Sequence, residues 1–133
     1  MGVAENKAVV EGYFGALNKQ DFPTVIGTFA DDVTWWVPPS SPLAGLYKGK
    51  EAVLGLFGKG TGLYDPTVPM QARIEGMVGE GDYVAAQVII KARTAKGKDY
   101  ENHYHFLFKV QGGKFKEVKE YVDTLYSQKT LFE

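Results

Sequence analysis

The last third of the chain alternates between apolar and polar positions with a period of two, which is typical of β-strands. Two such runs, residues 100–110 and 114–124, flank a Gly-Gly pair that predicts a tight hairpin turn between them. One face of the first strand carries Asn102, Tyr104, Phe106 and Phe108, and the other carries His103, His105 and Leu107. Because the first face is aromatic but includes an amide and a phenol, it indicates the inner wall of a small-molecule pocket.

In the first half of the chain most apolar positions follow a helical spacing. Residues Ala8, Val9, Tyr13, Ala16 and Leu17 form the stripe of a first helix, which residues 18–20 end. The later elements are a short helix over residues 22–29 capped by Asp21, a strand over 33–37, a proline-rich loop over 38–42, a helix over about 50–57, and strands over 70–78 and 83–94.

Helices followed by a run of antiparallel strands predict an α+β domain. We expect one domain over residues 1–133, with a curved antiparallel sheet and three helices in its N-terminal half. Helices on the concave side of such a sheet make a cone-shaped pocket, and its open end is a natural ligand site.

Composition narrows the function classes. The chain has 15 basic and 16 acidic residues and a net charge of −1, so no basic surface attracts nucleic acid or an anionic membrane. Cysteine is absent, and the two histidines are nearly adjacent, so no metal site is expected. No signal-peptide core or membrane-length apolar run is present. The expected location is therefore the cytoplasm.

Four segments in this order resemble the nuclear transport factor 2-like superfamily, and within it SnoaL-like and ketosteroid isomerase-like proteins. They are residues 13–22 (YFGALNKQDF), 29–35 (FADDVTW), 47–53 (YKGKEAV) and 113–115 (GKF). The resemblance covers nearly the whole chain and implies the cystatin-like fold of that superfamily. It is much less specific for activity than for fold, because proteins of this one fold catalyse many different reactions.

The resemblance also suggests which positions carry chemistry. Tyr13 matches the tyrosine of ketosteroid isomerases, but Val37 stands at the position of their base and Tyr104 at that of their acid. SnoaL-like cyclases instead place a carboxylate on the last strands, where Glu120 and Asp123 are the candidates. The arginine of the epoxide hydrolase pattern has no match, because no aspartate pair flanks Arg73 or Arg93.

The pairing register decides which of the two carboxylates faces the pocket. Counting outward from the turn places Asn102 opposite Asp123 and His105 opposite Glu120, which turns Glu120 outward. A one-residue bulge, favoured by the family comparison, would turn Glu120 inward. Asp123 is either an acid–base group on the aromatic wall or the cap of a backbone amide, and Glu120 is either a pocket carboxylate or a surface ion-pair partner.

The remaining pocket candidates are apolar or phenolic. We expect Tyr13, Trp35, Val37, Asn102, Tyr104 and Phe106 to bound the pocket. Trp36 points to the opposite face from Trp35 by alternation, and a tryptophan on the outer face indicates a covered surface, as in a homodimer.

Together these features predict a protein that binds a small, apolar, oxygenated molecule. The first interpretation is a cofactor-independent isomerase, cyclase or dehydratase in which Asp123 or Glu120 moves a proton and Tyr13 and Tyr104 polarise an oxygen. The second is a ligand-binding or sensing protein of the same shape. At least one of the two carboxylates is expected to reach the pocket and to have a raised pKa.

Overall fold

The computed structural model describes residues 2–133 as one six-stranded sheet with helices packed against it. In chain order the elements are α1 (Val3–Asn18), α2 (Phe22–Gly27), β1 (Phe29–Val37), β2 (Gly45–Lys48), α3 (Lys50–Thr61), β3 (Gln71–Glu80), β4 (Tyr83–Arg93), β5 (Asp99–Gln111), β6 (Lys114–Val122), α4 (Thr124–Ser127) and a final π-helical turn (Gln128–Phe132).

The sheet order is β2-β1-β6-β5-β4-β3, which joins the C-terminal meander to the first strand through β6. Every neighbouring pair is antiparallel except β1 and β6, which run parallel. The α+β architecture with a curved sheet is confirmed. The sheet was expected to be antiparallel throughout, and the parallel β1–β6 pair corrects this. The two strands are separated in the chain by β2, α3 and β3 to β5, so no hairpin fixes their relative direction.

The first two helices form for the reasons seen in the sequence. Helix α1 buries Val10, Tyr13, Phe14 and Ala16 against the sheet. Asp21 caps α2 as predicted, since its carboxylate accepts from the Thr24 backbone N–H at 3.3 Å and from the Thr24 hydroxyl at 2.6 Å.

The hairpin between β5 and β6 turns at Gly112 and Gly113, both at positive φ, as this type of tight turn requires. Val110 pairs with Phe115, but the next residue inward, Lys109, pairs with Glu117. Lys116 is therefore the extra residue of a β-bulge, and the bulge reverses which residues of β6 face inward beyond it.

Other boundaries differ from the predicted ones. Strand β1 begins at Phe29, a residue assigned to the second helix, and the unforeseen strand β2 pairs with its far end. Helix α3 continues to Thr61 through two glycines. Strand β6 ends at Val122, and a short α4 follows it, where the sequence prediction continued the strand.

The core is a continuous aromatic cluster between α1 and the sheet. On β5 and β6 the rings of Tyr104, Phe106, Phe108 and Phe115 stack in sequence, with centroid separations of 5.5, 5.5 and 4.4 Å. Among residues 2–133, no helix has both the length and the apolar character needed to cross a bilayer.

Candidate functional site

A cavity of about 500 Å³ opens between the inner face of the sheet, the first three helices and the C-terminal segment. Its walls are mainly apolar, and a few polar groups converge on it. Five of the residues predicted from sequence line it: Tyr13, Trp35, Val37, Tyr104 and Phe106. Glu120 lines it as well.

The bulge in the last hairpin brings Glu120 into the cavity. Beyond Lys116, the pairs are Phe108 with Val118 and Phe106 with Glu120, so Glu120 shares a face with the buried Phe106. Register counting without a bulge placed Glu120 opposite His105 and outward, and this alternative is wrong. The count left out one extra residue, and a shift of one residue moves every following side chain to the opposite face of the strand.

The carboxyl of Glu120 lies in an aromatic setting with one hydrogen bond. The indole Nε1–H of Trp35 donates to Oε1 of Glu120 at 3.3 Å. Burial disfavours the charged form and raises the pKa of Glu120 to about 7, and the bond from Trp35 opposes that rise. The carboxyl can therefore both take and give a proton near neutral pH.

This raised pKa makes stability depend on pH. Between the ordinary value of 4.5 and about 7, the folded chain holds a proton on Glu120 that the unfolded chain has lost, so the free energy of unfolding falls as pH rises. We expect Glu120→Gln to remove that fall. Urea unfolding at about pH 4 should show little difference between the two proteins, and at about pH 8.5 the variant should be the more stable one. A difference that does not change with pH would contradict this.

Two tyrosines add hydroxyl groups to the site. Tyr104 has its pKa raised by burial and by its neighbours Tyr64, Tyr100 and Glu120. Tyr13 has its pKa raised by burial and by the charge of Glu120. Both phenols therefore remain protonated at neutral pH and are potential hydrogen-bond donors.

Asp123 and Asn102 are located elsewhere. Asp123 follows the end of β6, is exposed, and caps α4 by accepting from the Tyr126 backbone N–H at 3.1 Å. The expected pairing of Asp123 with Asn102 is therefore wrong, because the bulge shifts the register by one residue, so that Tyr104 pairs with Val122, and β6 ends there. Asn102 is 2 % exposed beneath α4 and does not line the cavity.

Part of the cavity wall was not predicted from the sequence. Phe57 of α3 packs edge-on against Trp35 at a centroid distance of 5.2 Å, and Tyr64 follows α3 in the loop. Leu131 and Phe132 of the final turn line the cavity too. The apolar pattern at the C-terminus is the signal that would have indicated this segment. Within residues 2–133, no group of three His, Asp or Glu side chains could hold a metal ion.

The outer face of the sheet carries the other tryptophan. Trp36 packs against Tyr121 with a centroid distance of 5.1 Å, and it pairs with the exposed Leu46 on β2. His103 and His105 are exposed on the same face.

The comparisons agree with this architecture. A family model described as a SnoaL-like domain matches residues 10–118. A search of curated proteins finds no significant match.

Several solved structures share the fold at low sequence identity. A nuclear transport factor 2-like protein of unknown function from Burkholderia pseudomallei is 17% identical over 100% of both chains, with a TM-score of 0.84. TerC, co-crystallised with polyporic acid, is 14% identical over 97% of this chain and 99% of its own, with a TM-score of 0.83. A protein assigned as a SnoaL-like polyketide cyclase from Jannaschia is 14% identical over 96% and 92%, with a TM-score of 0.81.

Proposed function

The chain belongs to the SnoaL-like family, and from this premise we propose that it is a cofactor-independent enzyme of the isomerase, cyclase or dehydratase type. Its substrate is a small, largely apolar molecule that carries oxygen. The observation that carries the proposal is Glu120, a carboxyl with a pKa of about 7 inside a mainly apolar cavity. General acids and bases work best when their pKa lies near the working pH.

The proposed step is proton transfer at a carbon next to a carbonyl group. The Glu120 carboxylate takes the proton, the electrons of the C–H bond form the enolate, and a phenol hydroxyl stabilises the developing charge on oxygen. Tyr104 is the better-placed phenol, because it lies on the strand next to Glu120 and on the same face. Return of the proton to a different atom gives an isomerase, and attack of the enolate on a second carbonyl gives a cyclase.

Deuterium exchange tests this step without knowledge of the natural substrate. α-Tetralone, an apolar ketone with an exchangeable position next to its carbonyl, is incubated with the protein in deuterium oxide and followed by proton NMR. We expect exchange above the rate in buffer. A panel of aryl and alkyl ketones that exchange no faster with the protein than without it would argue against the proposal.

A second candidate is a binding or sensing protein of the same shape without turnover. It is favoured by the polar groups beneath α4, where the side chain of Asn102 is bonded to Tyr100 and Ser127. Polar groups that already form hydrogen bonds with one another make a rigid wall, as a binding protein needs, and leave fewer groups for catalysis. The deuterium exchange assay separates the two candidates, because a binding protein would hold the ketone without accelerating exchange.

We also propose that two copies associate through the outer sheet face. Trp36, Tyr121 and Leu46 form an apolar patch there, and Tyr121 and Leu46 are about half exposed. A patch of this kind tends to be covered, and a two-fold contact covers both copies.

Size-exclusion chromatography with light scattering at micromolar concentration should give about twice the chain mass of 14.7 kDa. Tyr121→Glu should shift the protein toward the monomer, because a charge would be buried in the contact. Ile26→Glu, on helix α2, is the control and should leave the mass unchanged. A wild-type monomer at this concentration would contradict the association.

A further inference from the structure

Four polar side chains meet beneath α4, at the edge of the cavity. The Asn102 amide nitrogen lies 3.0 Å from the Tyr100 hydroxyl, 2.9 Å from the Ser127 hydroxyl and 3.2 Å from the Asp123 carbonyl oxygen. The Tyr100 hydroxyl lies 2.6 Å from that of Tyr104 and 3.2 Å from that of Ser127. Only Tyr104 and Ser127 of this group also line the cavity.

The orientation of the Asn102 amide is fixed by the backbone. Its Oδ1 accepts from the N–H of His103 at 2.8 Å, and a backbone N–H can only donate. The nitrogen of the amide, with its two hydrogens, therefore faces the hydroxyl groups. Tyr100 and Ser127 accept from Asn102 at the two shortest distances, so each has its own hydroxyl hydrogen left to donate.

Two arrangements pass the remaining hydrogens along this chain of hydroxyl groups. In the first, Tyr100 donates to Tyr104 across the short 2.6 Å contact, Ser127 donates to Tyr100, and the Tyr104 hydrogen is left for the cavity, where the Tyr64 hydroxyl also lies. In the second, Tyr104 donates to Tyr100 and Tyr100 donates to Ser127, so the remaining hydrogen is that of Ser127. Ser127 is 8 % exposed, whereas Tyr104 is half-buried, so a ligand in the cavity reaches the remaining hydrogen more readily in the first arrangement. An acceptor in the cavity therefore favours the first arrangement.

We propose that Asn102 is a positioning residue that, through Tyr100, makes Tyr104 a hydrogen-bond donor to the ligand. The cavity then selects molecules that present an acceptor oxygen, such as a carbonyl, to Tyr104. This rests on the proposed function only in requiring that the cavity binds a small molecule. Donation from Asn102 to Tyr100 and on to Tyr104 polarises each hydroxyl in turn, which strengthens the last bond to the ligand.

The carbonyl stretching band of bound α-tetralone reports on this donor directly. With carbon-13 in the carbonyl, we expect a lower infrared frequency in the wild-type complex than in the Tyr104→Phe complex. Tyr100→Phe should move the band part of the way back, because it breaks the chain of donors. A wild-type band equal to that of Tyr104→Phe would overturn the proposal.

Affinity gives a second readout. Dissociation constants for α-tetralone and for tetralin, its hydrocarbon counterpart, follow from quenching of tryptophan fluorescence. One hydrogen bond should give the ketone an advantage of about three- to tenfold in the wild-type protein. Tyr104→Phe should abolish that advantage and leave the tetralin value unchanged, whereas a general disturbance of the cavity would weaken both ligands.

Asn102→Asp tests the positioning residue itself. At about pH 9 a carboxylate accepts from Tyr100, so Tyr104 turns its hydrogen to Tyr100 and the ketone advantage should disappear. Asn18→Asp is the matched control. Asn18 donates to the Ala72 carbonyl oxygen at 2.8 Å away from the cavity, so its loss should affect stability and not selectivity.

The outcomes separate the two proposals. If the Asn102→Asp variant still binds α-tetralone more tightly than tetralin by the wild-type factor, the role of Asn102 is overturned. If that variant does not fold, the infrared comparison with Tyr100→Phe decides the question, and an unchanged band there overturns the relay. Failure of both probes to bind overturns the cavity as a ligand site, and the proposed function with it. Loss of deuterium exchange with the ketone advantage intact counts against the enzyme alone.

Discussion

Replacing Glu120 by Gln is expected to lower the protein-dependent deuterium exchange of α-tetralone by about two to four orders of magnitude. Glutamine has nearly the same shape and keeps an oxygen that can accept from the Trp35 indole, now 3.3 Å from Oε1. It cannot take a proton. The loss should therefore appear in the rate, while the dissociation constant of α-tetralone stays close to that of the wild-type protein.

A matched substitution on the same strand separates chemistry from charge. Glu117 forms an ion pair with Lys109 at 3.5 Å and does not line the cavity, so Glu117→Gln should exchange the ketone at the wild-type rate. The wild-type rate should rise as pH increases through about 7, because the base is the ionised form of Glu120. Full activity in Glu120→Gln would exclude this residue as the proton carrier.

The pKa of Glu120 is set by where the fold places it. Its neighbours across the sheet are Phe106 on β5 and the Trp35 indole from β1, and neither brings a positive charge. Arg73 and Arg93 lie on other strands, where each pairs with a surface carboxylate. Burial therefore acts without a compensating cation, which is the condition under which a carboxyl titrates near neutral pH.

The fold could be predicted from sequence because its signals are local and periodic. The alternation in β5, the Gly-Gly turn and the Asp21 cap each depend on a few neighbouring residues. Alternation alone predicted which residues of β5 face inward, and two of them, Tyr104 and Phe106, do line the cavity.

The site was less predictable because it depends on one extra residue. Lys116 has nothing in its chemistry that marks a bulge, and the register shift that it makes turns Glu120 inward. Asp123 was misplaced for a related reason. Nothing before it signals the end of a strand, although its side chain is a good helix cap, and α4 covers Asn102 as a result.

The aromatic core beneath the cavity is expected to be sensitive to the loss of a single ring. Phe108 is fully buried, stacks on Phe115 at a centroid distance of 4.4 Å, and meets Tyr13 and Phe14 edge-on. It lies between helix α1 and the sheet, so neighbouring side chains on two elements depend on its volume. Interiors packed this closely cannot collapse fully into the space that a lost ring leaves.

Phe108→Ala is therefore expected to lower the free energy of unfolding by about 3–5 kcal/mol, as measured by urea unfolding at fixed pH. Phe22→Ala is the matched control. The Phe22 ring is 49% exposed at the start of α2, so the same substitution should cost well under half as much. Since domains of this size are stable by only about 5–15 kcal/mol, Phe108→Ala should leave a marginal fold. Equal losses for the two variants would contradict the aromatic cluster as the centre of stability.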